Sequence, residues 1–183
     1  MEKRFIMTAF AKDRIGLVAD ITKIIYENDC NLEDTEMTQL EDEFVLMLLF
    51  TGKNKELIEG ISKECRRLER EKGISAFVRE LEEKPGKAVK SVNTFSLHVE
   101  GVDQAGIVYK ISDYLARQSI NISRLISRKT PSPESGTPIY TVEIEIEVPN
   151  EMSFTHLEQG LSELGQEMDI QFIIDQGNLK EKV

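Results

Sequence analysis

The chain of 183 residues has no tryptophan, two cysteines, two histidines and five prolines, and its lysines and arginines (23) are outnumbered by aspartates and glutamates (33). Each shortage excludes something. Cys30 and Cys65 both fall in the first half, so no disulfide framework spans the chain. His98 and His156 lie far apart, without a Cys or His partner at ligand spacing, so they read as surface or interface residues and no metal site is expected. A net charge of −10 works against direct nucleic-acid binding, since neutralising phosphates takes lysine and arginine. No apolar run approaches the roughly 20 residues that a membrane helix needs; Phe44 to Phe50 is strand length. No export signal opens the chain, and the expectation is a cytoplasmic protein without membrane association.

Internal repetition is what the chain does have. Asp13-Arg14-Ile15-Gly16-Leu17-Val18 returns as Asp103-Gln104-Ala105-Gly106-Ile107-Val108, an offset of 90 that also brings Ile21 onto Ile111 and Asn31-Leu32 onto Asn121-Ile122. A fixed period of this kind marks duplication of one folding unit. Within the first copy, residues 4–11 read as a strand with neither face strongly polar, expected to be central in its sheet. Leu17, Val18, Ile21, Ile24 and Ile25 then mark an amphipathic helix that stops at Asn28-Asp29.

A strand over 32–40, an acidic turn at 41–43 and the apolar strand 44–50 follow. That last strand needs cover on both faces or a partner chain. A helix marked by Leu57, Ile58, Ile61, Cys65 and Leu68 runs to about Gly73, and a strand over 74–81 completes the unit. The basic residues of that helix, Arg66, Arg67 and Arg70, alternate with Glu64, Glu69 and Glu71, as on a solvated face. The expected division is a first domain over 1–82, a linker over 83–90 containing Pro85-Gly86, and a second domain over 91–183 with a short polar tail.

The second copy repeats the order strand, helix, strand, strand, helix, strand. It differs by a loop, Thr130 to Gly136, where the first has a tight turn, and by the clean alternation of residues 139–148. Tyr140, Val142, Ile144, Ile146 and Val148 face the core there, while Glu143, Glu145 and Glu147 read as a wet face that discourages edge pairing.

The repeated Asp-x-x-Gly joins a strand to a helix, and this leaves backbone N–H groups at the helix N-terminus, where the dipole favours a carboxylate. Gly16 and Gly106 allow close approach of a ligand or of another backbone. Asp13 and Asp103 could equally be helix N-caps. Asn31 and Asn121 offer a donor and an acceptor to a small zwitterion, or serve simply as turn residues. No nucleophile–base motif, phosphate loop or Gly-x-Ser-x-Gly turn is present, and the sheets lack an RNA-reading aromatic triplet; the protein reads as non-enzymatic.

Residues 13–21 (Asp-Arg-Ile-Gly-Leu-Val-Ala-Asp-Ile) together with 30–34 (Cys-Asn-Leu-Glu-Asp) resemble the signature of ACT domains, Asp-Arg-Pro-Gly-(Ile/Leu)-Val. Two such units filling the chain resemble the group that includes the glycine cleavage system transcriptional repressor and other stand-alone amino-acid-binding ACT proteins. The resemblance implies an α+β fold: two ferredoxin-like βαββαβ domains in tandem, with antiparallel sheets and helices on one face. It also implies a small ligand, commonly an amino acid, at an interface of ACT units, a protein partner, a homo-oligomer and no cofactor. The site residues carried over are Asp13, Arg14, Ile15, Gly16, Leu17 and Asn31 in the first copy, and Asp103, Gln104, Ala105, Gly106, Ile107 and Asn121 in the second. Ile15 and Ala105 stand where the motif has proline, and Gln104 where it has arginine.

Overall fold

Alternation along β1 (Lys3–Lys12) puts Phe5, Met7 and Ala9 on a buried face and Ile6, Thr8 and Phe10 on the opposite one, so this strand is placed to lie under helices. The computed structural model, which describes residues 2–53, 57–82, 92–133 and 135–176, shows that it does. After β1 come α1 (Leu17–Glu27), β2 (Asn31–Leu40), β3 (Glu43–Gly52), α2 (Leu57–Lys72) and β4 (Ser75–Leu81). The sheet order is β2-β3-β1-β4, with every pairing antiparallel, and β1 is central as expected.

Leu17, Ile21, Ile24 and Ile25 of α1, and Leu57, Ile61, Cys65 and Leu68 of α2, pack on Phe5, Met7, Ala9, Phe44, Leu46, Leu48 and Phe50. The four α1 side chains alone bury about 1.5–3 kcal/mol each before entropy is counted. The helices thus cover one side of the apolar strand β3, while Val45, Met47 and Leu49 remain on the side they leave open. Edge strand β2 is exposed along its whole length.

The second unit repeats this with β5 (Val92–Val102), α3 (Ile107–Arg117), β6 (Asn121–Pro131), β7 (Pro138–Pro149), α4 (Phe154–Met168) and β8 (Ile170–Gln176), in the order β6-β7-β5-β8. The offset of 90 survives in fine detail. Gly16 and Gly106 have φ of 86° and 93°, Asp29 and Ser119 have φ of 52° and 59°, and the register shift at Leu32/Asp34 recurs at Ile122/Arg124. The hairpin of the second unit is longer because β6 continues to Pro131, so the expected loop begins later than the turn residues alone suggest.

The chain divides into two units, Met1–Gly86 and Lys87–Val183. The expected linker, 83–90, lies outside the described residues. Cys30 and Cys65 are both free thiols.

Candidate functional site

Each β1–α1-type loop is held at both ends by backbone. The Asp13 amide donates to the Asp42 carbonyl (2.9 Å) and the Asp20 amide to the Gly16 carbonyl (2.9 Å). Asp103 to Pro138 (3.0 Å) and Lys110 to Gly106 (2.9 Å) repeat the pair. The residue at the N-cap position is the glycine, in the left-handed conformation, and no side chain caps either helix. Asp13 and Asp103 are therefore not N-caps. In α1 the Leu17 amide turns back to the Arg14 carbonyl (3.3 Å); the other first-turn amides of α1, and those of α3, have no intrahelical acceptor to reach, which leaves them for solvent or a ligand. Above both glycines the space is open: a Cβ added there meets nothing within 4 Å.

The side chains around the two loops differ. Arg14 is drawn back onto α1, where its guanidinium donates to Asp20 (2.6 Å) and to the Ile15 carbonyl (3.3 Å). Lys72, at the end of α2, also bonds to Asp20, and these two cations hold the Asp20 carboxyl below its ordinary range. Ile15 stands fully exposed at the loop tip, while Leu17 is buried in the core and holds the helix start down. Asp13 is exposed and has no ion-pair partner among the described residues.

In the second unit Asp103 accepts from Lys129. The Gln104 amide donates to the Met168 carbonyl at the end of α4 (2.5 Å), a backbone acceptor that helix termini leave open. Ala105 is exposed and Ile107 buried. A groove between α4 and β8, walled by Leu161, Gly165, Phe172 and Ile174, is lined by none of Asp103 to Ile107.

The asparagines do not join the loops within one unit. Asn31 pairs with Thr51, which pairs with Arg4, whereas the loop leaves β1 at Lys12. Eight residues of strand separate the two levels, about 27 Å. Asn121 is likewise at the far end, level with Glu147 and Thr94, and its amide donates to the Glu147 carboxylate (2.9 Å). The Asn31 amide has no partner among the described residues.

Asp20 and Lys72 were not legible as a pair. The trace they leave in the sequence is a charge reversal at the repeat: position 20 is aspartate, position 110 is lysine, and Lys110 pairs with Glu167 on α4 (2.7 Å), so each unit ties its two helices with an ion pair of opposite sense.

A βαββαβ unit with the strand order 2-3-1-4 defines a class, the ferredoxin-like α+β fold. Residues 3–79 match the family model of the ACT domain. The match falls within the first unit, and the second repeats its order and register, so the chain carries two ferredoxin-like units in tandem, the first of them matching the ACT domain. Over 166 residues the chain is 22% identical to the glycine cleavage system transcriptional repressor of Escherichia coli (strain K12), covering 91% of this chain and 86% of that one. The crystal structure of an unknown protein from Galdieria sulphuraria superposes with a TM-score of 0.78 at 20% identity, covering 97% of this chain and all of that one. A crystal structure provisionally described as a glycine cleavage system transcriptional repressor gives 0.69 at 18% identity, covering 96% of this chain and 97% of that one. Among the described residues no helix is long and apolar enough to cross a membrane.

Proposed function

We propose that the protein is a non-catalytic, cytoplasmic regulator that senses an amino acid and passes the signal to a protein partner, as its likeness to the glycine cleavage system transcriptional repressor suggests. The observation that carries this reading is the open space over Gly16, at an uncapped helix N-terminus, repeated at Gly106. The ligand carboxylate takes the first-turn amides of α1, and its ammonium is suited to the unpaired Asp13 carboxylate. The first loop is the better site, because in the second the side chains of Asp103 and Gln104 already serve Lys129 and Met168. Since Asn31 sits at the other end of its own sheet, it serves a complete site only at the loop of another ACT unit.

Thermal unfolding with each common amino acid at millimolar concentration tests this. Glycine and serine are the first to try. A ligand at 100 times its dissociation constant stabilises by about 2.7 kcal/mol, a melting shift of several degrees. Asn31→Ala and Gly16→Trp should abolish the shift while still folding, the tryptophan variant from a lower melting temperature because its backbone is left-handed at that position. A flat response to every amino acid overturns the reading in favour of a module that dimerises without ligand.

A further inference from the structure

The two units share an architecture but not the chemistry of the sheet face that their helices leave open. In the second unit that face carries Ser96, His98 and Glu100 on β5 and Glu143, Glu145 and Glu147 on β7, with Ile126 and Ile173 on its edge strands. His98 bonds to Glu143 (2.5 Å) and Arg124 to Glu145 (3.4 Å). Burying this face would take several carboxylates out of water.

The equivalent face of the first unit is mostly apolar across β1, β3 and β4, with Thr8 at its centre and Asp34, Glu36 and Thr38 along edge strand β2. Ile6 and Phe10 on β1, Val45, Met47 and Leu49 on β3, and Phe77 on β4 form its middle; Phe77 is 57% exposed, Phe10 46% and Met47 39%. The fold does not require this, because the second unit does without it. We propose that this face of the first unit pairs with the same face of a second copy of the chain, sheet against sheet about a two-fold axis parallel to the strands.

Charge sets that axis. One row across the sheet reads Asp34, Leu49, Ile6, Arg79, with the acid on edge strand β2 and the base on edge strand β4. Within one copy the two charges are three strand spacings apart, about 14 Å, too far to pair. Neither has an ion-pair partner among the described residues. A two-fold axis along the strands lays β2 over β4 of the second copy and β3 over β1, so Asp34 meets Arg79 of the second copy, twice per dimer. An axis across the strands would lay β2 over β2 and set Asp34 and Glu36 against their own kind.

Four strands and about eight residues of length give a face of roughly 19 Å by 27 Å, on the order of 500 Å² per copy and 1,000 Å² for the pair, which is the size at which specific association begins.

Sedimentation of the full chain from micromolar to 100 micromolar is the test, with a monomer of 20.9 kDa and a dimer of twice that, 41.8 kDa. The proposal expects a dimer that Phe77→Asp dissociates, raising the dissociation constant at least about 100-fold. Arg79→Asp, which sets carboxylates against each other, should raise it about tenfold, and adding Asp34→Arg should restore it to within about threefold. Both charged positions are exposed, so the swap bears on association with little effect on the core. A monomer throughout overturns the proposal. So does a dimer that survives Phe77→Asp, or a charge swap without rescue.

Discussion

Gly16→Ala isolates the backbone of the proposed site. The φ of +86° lies in the left-handed region, and the added Cβ meets nothing within 4 Å, so no clash contributes and the cost is conformational. For an L-residue with a side chain that cost is about 1–2 kcal/mol. The unfolded chain loses freedom on the same change, which returns about 0.4–1 kcal/mol, and the midpoints of the two ranges leave a net loss of about 0.8 kcal/mol. For a unit of this size, roughly 1 kcal/mol corresponds to about 4–8 °C, so the first unit should melt lower by about 3–6 °C. Asparagine tolerates left-handed backbone, so Gly16→Asn should fall between glycine and alanine. Gly106→Ala, with φ of +93° and the same open space, should lower the second unit by a similar amount. Urea or thermal unfolding followed by circular dichroism reads all three. If alanine is neutral or stabilising at both positions, the left-handed caps are wrong and with them the geometry of the site.

Gly165→Ala fails for the opposite reason, since its Cβ would lie 2.8 Å from the backbone oxygen of Ile170; a loss of about 1–3 kcal/mol is expected in denaturant unfolding. Burial pushes the Cys65 thiol up to about 11, so a thiol reagent at neutral pH should modify it only on unfolding, and mass-mapped labelling of the native chain at a free-thiol rate would contradict its packing. The Asp20 carboxyl is lowered first by its hydrogen bond from Lys72 and then by that from Arg14. A depressed folded value means the stabilisation is present above the ordinary 3.8 and is lost as pH falls through the lower folded value. Asp20→Asn should therefore be less stable than wild type at neutral pH and converge with it in strong acid; parallel pH–stability curves would refute this.

The fold was readable because two periodicities do the folding. The three- and four-residue spacing of Leu17, Ile21, Ile24 and Ile25 and the alternation of Phe95, Leu97 and Val99 both set faces that the core then uses. The identical offset of 90 in Gly16/Gly106 and Asn31/Asn121 located the candidate residues as well. What could not be read was reach. Neighbours in the motif, Gly16 and Asn31, are held at opposite ends of the sheet because a helix returns the chain before β2 begins. Which polar groups were already spoken for also depends on partners distant in sequence: Met168 for Gln104, Lys129 for Asp103, Lys72 for Asp20. Alternation distinguished the open faces only where it was polar. The glutamates of β7 announced a wet face, whereas the unbroken run Phe44 to Phe50 hid the fact that only its alternate residues are covered.

The claim on which the account stands is that the loop at Gly16 takes an amino acid. Backbone amide NMR of the full chain, titrated with glycine, serine and the remaining common amino acids, tests it most directly. The account predicts saturable shifts centred on Ile15 to Ala19, larger than those at Ala105 to Tyr109. Shifts absent from both loops for every amino acid, or centred on another part of the chain, would contradict it.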